Sequence, residues 1–150
     1  MKPTIQKFIS SVLYTVFVSW MTCSVDPLSP EALRGSWTML SLTDKRTNTT
    51  FVADRPVDIG NGATRTVSGV LLIGDFGAAL QESEINIIIS TRTTIPGQGQ
   101  QDDFERFFGT YDIEGFTLTI DGTKVFKISR SEFRLTLEDD ESIIRWGKTD

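Results

Sequence analysis

Residues 104–146, FERFFGTYDIEGFTLTIDGTKVFKISRSEFRLTLEDDESIIRW, determine the fold class of this chain. Apolar and polar residues alternate along the stretch, which places apolar side chains on one face of each extended segment. Turn residues interrupt the alternation at Glu114-Gly115, Asp121-Gly122, Ser129 to Ser131 and Asp139-Asp140. Asp-Gly is typical of a two-residue hairpin, because both turn positions need positive φ. The stretch therefore predicts a meander of five antiparallel strands with one apolar and one polar face.

The residues before this meander also favour strands. Strands are predicted at Ser36 to Leu42, Thr49 to Ala53, Val67 to Ile73 and Ile85 to Thr94, and long polar loops at Ala53 to Val67 and Ile95 to Asp103. A helical turn is predicted over Ser29 to Arg34, with Ser29 as N-cap and Pro30 at the first helical position. An antiparallel meander of eight or nine strands must stack into a sandwich or close, and closure removes its exposed edges. We therefore predict an all-β chain forming a single antiparallel up-and-down β-barrel of about eight strands.

The N-terminal segment has the pattern of a signal peptide. Lys2 and Lys7 precede or border an uncharged apolar run from Phe8 to Met21. This run is shorter than the roughly 20 residues that a bilayer-spanning helix needs. A buried or interfacial N-terminal helix is the alternative, although Pro27 follows closely. We predict a signal peptide over 1–22, a tether over 23–32 and the barrel domain over 33–150.

Cys23 is the only cysteine of the chain and directly follows the predicted signal peptide. A single cysteine at this place resembles the acylation site of bacterial lipoproteins. That resemblance implies lipidation at Cys23 and a location in the bacterial cell envelope, as an outer-membrane lipoprotein facing the periplasm or the cell surface. Cleavage after Ser24, which would give a secreted protein, is the alternative.

The composition excludes several kinds of chemistry. The chain has no histidine, which excludes a Ser-His-Asp triad, a Cys-His dyad and a histidine-ligated zinc site. Its formal net charge of −5 argues against nucleic acid as a partner. The acidic clusters Asp102-Asp103-Glu105 and Glu138 to Glu141 lack EF-hand spacing, so they are interpreted as a solvated loop and a solvated hairpin tip. We expect no enzymatic activity, no metal and no cofactor.

Two motifs resemble the lipocalins and the wider calycin barrels. Gly35-Ser36-Trp37, after a short helical turn, matches their Gly-x-Trp pattern, and Gly109 to Lys148 is similar to the closing meander of small bacterial lipocalin-like domains. The resemblance implies that Gly35, Trp37 and Arg145 close the barrel, with Arg145 packed across the indole of Trp37. Trp146 is the alternative occupant of the barrel floor.

The function expected from this resemblance is capture of a small hydrophobic ligand inside the barrel. The predicted lining residues are Met39, Phe107, Tyr111, Phe116, Phe126 and Phe133. The alternative is a filled barrel that acts as a protein-interaction or envelope structural module without a ligand. A cavity above roughly 300 Å³ lined by these aromatics would favour ligand capture. We expect a monomer held to the membrane by its N-terminal lipid anchor.

Overall fold

The computed structural model describes residues 26–74 and 83–149, and within them the predicted all-β barrel is confirmed. One short helix, α1 (Pro30–Leu33), precedes the strands. Its N-cap is Ser29, whose hydroxyl accepts a hydrogen bond from Ala32 N at 3.3 Å, and Pro30 begins the first turn. Proline fits there because the first helical N–H groups have no intrahelical acceptor. The predicted signal peptide and Cys23 lie outside the described residues.

The described residues form ten strands. In chain order they are β1 (Gly35–Asp44), β2 (Thr49–Val52), β3 (Val57–Gly60), β4 (Ala63–Ile73), β5 (Glu84–Ile95), β6 (Gly99–Glu114), β7 (Thr117–Ile120), β8 (Lys124–Ser131), β9 (Arg134–Glu138) and β10 (Ser142–Thr149). Strands β6 to β10 are the predicted five-strand meander. The β7–β8 turn has positive φ at Asp121 (47°) and Gly122 (65°), as a type I′ turn requires.

The strands form one antiparallel sheet in the order β2-β1-β10-β9-β8-β7-β6-β5-β4-β3, and a further pairing of β1 with β4 closes it into an eight-strand barrel. This seam is short, running from Gly35 opposite Ile73 to Thr38 opposite Val70. Beyond it β2 pairs with β1 and β3 pairs with β4. We call the end that carries α1 and the start of β1 the closed end. The opposite end, with the β5–β6, β7–β8 and β9–β10 turns, is the open end.

The prediction of two long loops is wrong. Ala53 to Val67 contains β3 and the beginning of β4, and Ile95 to Asp103 contains a tight turn followed by the beginning of β6. The residues from Gly99 to Arg106 are exposed on both faces of β6. Because neither face is buried there, the sequence does not need to alternate apolar and polar residues. That alternation is the signal that predicts a strand, and it is absent from this part of β6.

The barrel interior is packed with apolar side chains. Its most completely buried members are Trp37, Trp146, Phe126, Leu33, Met39, Leu71, Ile73, Ile85, Ile87, Leu118, Ile128 and Leu135. A bulge in β1 between Met39 and Ser41 shifts the register against β10, so Met39 pairs with Trp146 and Leu42 with Ile144. The bulge thus lets both Met39 and Leu42 face the interior.

The segment entering the barrel is bound to it. Leu28 is buried, and the Arg130 guanidinium donates a hydrogen bond to the Pro27 carbonyl at 3.0 Å. Within the part of the chain described, no helix has the length and apolar character to cross a membrane.

Candidate functional site

The largest side chains of the barrel occupy its interior near the closed end. Trp37 lies at the barrel floor, where its Nε1 donates to the Leu33 carbonyl of α1 at 2.9 Å. Trp146 lies further into the barrel, opposite Met39, which is two residues after Trp37 on β1. Both indoles are completely buried. Gly69 makes room for this layer, because a Cβ atom there would lie 2.8 Å from both Ile88 O and Met39 Cε.

A small pocket remains at the open end, with a volume of ≈ 160 Å³. We call it the open-end pocket. Its apolar lining residues are Leu42, Ile89, Phe107, Phe126 and Ile144, and its polar ones are Asp44, Arg46, Glu105, Lys124, Asp139, Glu141 and Ser142. The rings of Phe107 and Phe126 meet edge to face, with centroids 6.0 Å apart. A pocket with an apolar floor and a few polar groups at its rim is the usual form of a small-molecule site.

An ion pair lies at the rim of the open-end pocket. Lys124 Nζ is 5.1 Å from the ring centroid of Phe107 and 5.0 Å from that of Phe126, close enough for cation–π attraction to both. The same ammonium donates to Asp139 Oδ2 at 2.6 Å. Lys124 therefore joins the two aromatic rings to the β9–β10 turn.

Asp139 is fixed by several donors at once. Its Oδ1 accepts hydrogen bonds from the backbone N–H groups of Glu141 (3.0 Å) and Ser142 (2.7 Å). Burial by itself raises the pKa of Asp139, but the hydrogen bonds from Lys124, Ser142 and Glu141 outweigh it and hold the pKa below its usual range. Only 12% of the Asp139 side chain is exposed. The interpretation of this cluster as a solvated hairpin tip is therefore wrong for Asp139.

The six predicted lining residues separate into four groups. Phe107 and Phe126 line the open-end pocket, whereas Met39 is 2% exposed in the packed interior. Tyr111 packs against the core but lies toward the closed end, where it borders a surface groove of ≈ 590 Å³ that also includes Leu28.

Phe116 and Phe133 do not line the interior, which corrects their assignment. Both occupy hairpin turns at the closed end and are 75% and 65% exposed. Strand β8 continues to Ser131, past the expected turn, so the reversal falls at Glu132 and Phe133. Phe133 therefore belongs to the turn and not to the inward face of β9.

The predicted cover of Trp37 also needs correction. Arg145 is exposed on the outer face of β10, because its neighbours Ile144 and Trp146 both face inward. The cations over the Trp37 ring are Arg130, at 5.7 Å from the centroid, and Lys148, at 5.5 Å.

Gly35 lies where the Gly-x-Trp pattern predicts, at the first residue of the barrel. Its φ of +128° is a conformation that residues with a Cβ atom rarely adopt. The glycine of this motif is therefore explained by its backbone conformation.

Sequence reasoning missed most of the open-end pocket. Lys124 could have been found, since it begins the run Lys124, Phe126, Ile128 on the inward face of β8, where a cation among apolar residues is unusual. Ile89 and Ile144 carry no such signal, because any inward apolar residue looks alike in sequence.

Within residues 26–74 and 83–149, no cluster of three acidic or cysteine side chains is arranged to hold a metal ion. No known protein family, curated protein or solved structure matches this chain.

Proposed function

We propose that this protein is an exported, lipid-anchored, lipocalin-like barrel of the bacterial cell envelope that binds a small molecule at its open end. The observation that carries the proposal is the open-end pocket, in which Phe107 and Phe126 form an apolar floor beneath Lys124. The anchor is Cys23, three residues before the first described residue. Nothing in the proposal requires catalysis.

The size of the pocket limits the ligand. Drug-sized molecules usually occupy pockets of roughly 300 to 1,000 Å³, whereas a cavity of about 150 Å³ lined by Leu, Ile and Phe can hold benzene. At ≈ 160 Å³ the open-end pocket is smaller than the cavity expected from the sequence for capture of a hydrophobic ligand, and it is of the second size. Because Trp37 and Trp146 fill the interior, the ligand class is a single ring or a short apolar chain and not a long-chain lipid.

The rim of the pocket adds a preference for a ligand that carries a negative charge. Lys124 can exchange its Asp139 partner for an anionic group on the ligand while remaining above the two rings. A ring that carries a carboxylate therefore satisfies both the floor and the rim. Acidic neighbours such as Glu105 and Glu141 reduce this preference but leave the apolar floor unchanged.

Titration of the purified protein with toluene and with benzoate, followed by NMR, tests the proposal. We expect saturable shifts at the methyl groups of Ile89 and Ile144 and at the Phe107 and Phe126 rings. Leu42→Phe, which adds bulk to the pocket, should weaken both probes. Phe104→Trp adds bulk at an exposed site and is the matched control.

Lys124→Met separates the two parts of the site. We expect it to weaken benzoate and leave toluene unchanged, because only benzoate uses the ammonium. Shifts that do not saturate, or that centre on residues far from the pocket, would contradict ligand binding at the open end.

The packed interior also supports a second candidate function, a protein-interaction module. Large aromatic side chains lie on the outer surface of the barrel, and they include Phe104 (74% exposed) and Phe108 (48%) on β6. Exposed apolar groups on a strand are typical of interaction sites. This candidate predicts that neither toluene nor benzoate binds and that substitutions at β6 abolish association with a partner.

A further inference from the structure

The first part of β6 lacks a partner on one side. Strand β6 pairs with β5 along its whole length, from Gly99 opposite Ile95 to Thr110 opposite Glu84. On its other side it pairs with β7 only from Tyr111 to Glu114. We call Gly99 to Gly109 the free edge of β6.

The direction of the backbone groups along the free edge follows from two hydrogen bonds. Tyr111 N donates to Ser83 O on the β5 side at 2.9 Å. Thr110 points the opposite way, because its N–H donates to the Asp121 carboxylate and its carbonyl accepts from Asp121 N, both at 2.9 Å. Backbone groups alternate in direction along a regular strand, and the β5–β6 register has no bulge. The residues whose N–H and C=O groups point away from β5 are therefore Gln100, Asp102, Phe104, Arg106 and Phe108.

The free edge is protected against strand pairing mainly by charge. Sheet edges are usually protected by short length, charged side chains, proline or bulges. The free edge contains neither lysine nor proline and carries several acidic residues instead. Asp121 covers only its end, where its carboxylate occupies the space that a Cβ atom on Gly109 would need.

The side chains of the free edge differ between its two faces. Phe104 and Phe108 are exposed on the outer face, and the Arg106 guanidinium lies 5.3 Å from the Phe108 ring centroid. Asp102, on the same face, is bound to Arg92 by two contacts of 2.7 and 3.2 Å. Asp103 and Glu105 lie on the opposite face and form no ion pair within the described residues. One face therefore offers apolar contact, and the other offers carboxylates that form no ion pair among the described residues.

A second copy of this chain is a poor occupant of the free edge. Antiparallel pairing around a two-fold axis at Phe104 would place Asp103 opposite Glu105 of the second copy. An axis at Asp103 or Glu105 would place two acids opposite each other, and an axis at Arg106 would do the same for two guanidinium groups. Like charges directly opposite each other destabilise strand pairing.

We propose that the free edge of β6 binds an extended segment of a partner protein in which basic and apolar side chains alternate. The segment adds a strand to the sheet through the outward backbone groups. Its basic residues lie beside Asp103 and Glu105, and its apolar residues lie beside Phe104 and Phe108. This inference deepens the interaction-module candidate, and Glu105 is the one residue of its argument that also lines the open-end pocket.

The probe is a blocked peptide of alternating lysine and valine, long enough to span Gly99 to Gly109, and its binding to the full chain is measured by fluorescence anisotropy. Arg106→Pro removes an outward N–H without removing a bond to β5, and Arg106→Ala removes the same side chain while keeping that N–H. We expect Arg106→Pro to bind the peptide about tenfold more weakly than Arg106→Ala. Equal affinities would overturn the proposal. N-methylation of the peptide's edge-facing amides should have the same effect with the protein unchanged.

The charge component is tested separately. The double variant Asp103→Asn, Glu105→Gln should weaken the peptide about fivefold at low salt and reduce its salt dependence. Glu114→Gln with Glu132→Gln removes two exposed acids at the closed end and should leave binding unchanged. A glutamate–valine peptide that binds as well as the lysine–valine peptide would contradict the proposed occupant.

Sedimentation of the free protein tests the remaining occupant. A concentration-dependent dimer that Arg106→Pro abolishes would assign the edge to a second copy and overturn the proposal. Toluene titration of Arg106→Pro shows whether a loss is confined to the edge, because the open-end pocket should retain its NMR shifts. A failure of the pocket and a failure of the edge are therefore distinguishable.

Discussion

The closed end of the barrel and the free edge of β6 contain strands with opposite surroundings. At the closed end, Trp37 of β1 and Trp146 of β10 have no exposed surface. Along the free edge, the residues from Gly99 to Arg106 are exposed whichever way they point. The alternation of a strand decides which face a side chain takes, but the presence of neighbouring strands decides whether that face is buried.

The contrast between Phe126 and Phe104 is the most direct test of this difference. Phe126 is 1% exposed in the barrel and Phe104 is 74% exposed on the free edge. Phe126→Ala should lower the free energy of unfolding by about 3 to 5 kcal/mol, because it leaves a cavity in a packed core. Phe104→Ala should change it by no more than about 0.5 kcal/mol. Urea denaturation of both variants measures the two values, and similar losses would contradict the distinction.

Two glycines sharpen the comparison. A Cβ atom at Gly69 would meet the Ile88 carbonyl, which is backbone and cannot move aside, so Gly69→Ala should destabilise the fold by about 1 to 3 kcal/mol. At Gly109 the obstacle is the Asp121 side chain, which can rotate away at the loss of its hydrogen bonds to Thr110. We expect Gly109→Ala to lower the free energy of unfolding, measured by urea denaturation, by less than Gly69→Ala does. That loss should disappear when Asp121 is already alanine.

The two buried tryptophans should differ in the value of their N–H groups. Trp37 Nε1 donates to Leu33 O, whereas Trp146 Nε1 has no hydrogen-bond partner among the described residues. Replacement by phenylalanine removes similar volume at both positions. Trp37→Phe should therefore cost about 1 kcal/mol more than Trp146→Phe, because it also leaves a buried carbonyl without its donor. Thermal unfolding of the two variants in parallel checks the order, and the reverse order would refute this account.

The Asp139 carboxylate gives the open end a dependence on pH. Its pKa is lower in the folded protein than the ordinary value of 3.8, because its hydrogen-bond donors outweigh the effect of burial. The ionised form therefore stabilises the fold above that value, and this stability is lost as the pH falls through the lower, folded pKa. We expect Asp139→Asn to lower stability at neutral pH by about 1 kcal/mol and to reduce the acid-dependent loss. Asp103→Asn, at an exposed carboxylate, is the control and should change neither quantity measurably.

The sequence predicted the fold better than the site. Strands β6 to β10 could be located because Asp121-Gly122 and similar turn residues interrupt a regular alternation. Strand β6 was expected to begin later, because its first residues are polar on both faces. A strand with neighbours on both sides usually has one buried, apolar face, so polar residues on both faces predict a loop. The free edge has no neighbouring strand on one side, and neither of its faces is buried between Gly99 and Arg106.

The site could be predicted only where register did not matter. Phe107 and Phe126 line the open-end pocket as expected of inward aromatics. Lys148 and Arg130 cover Trp37 because of the β1–β10 and β8–β9 registers, which depend on the bulge next to Met39 and on where β8 ends. A single residue of offset changes the face of every following side chain. The same offset moved Phe133 into a turn.

The hydrogen bond from Arg130 to the Pro27 carbonyl has a consequence for how the protein would stand on a bilayer. Pro27 is fixed at the closed end, and Cys23 lies four residues before it. At most about 3.6 Å per residue separates them even in a fully stretched chain. If Cys23 carries acyl chains, this tether is too short for the barrel to invert on the membrane. The open end, with the open-end pocket, would then not be able to face into the lipid.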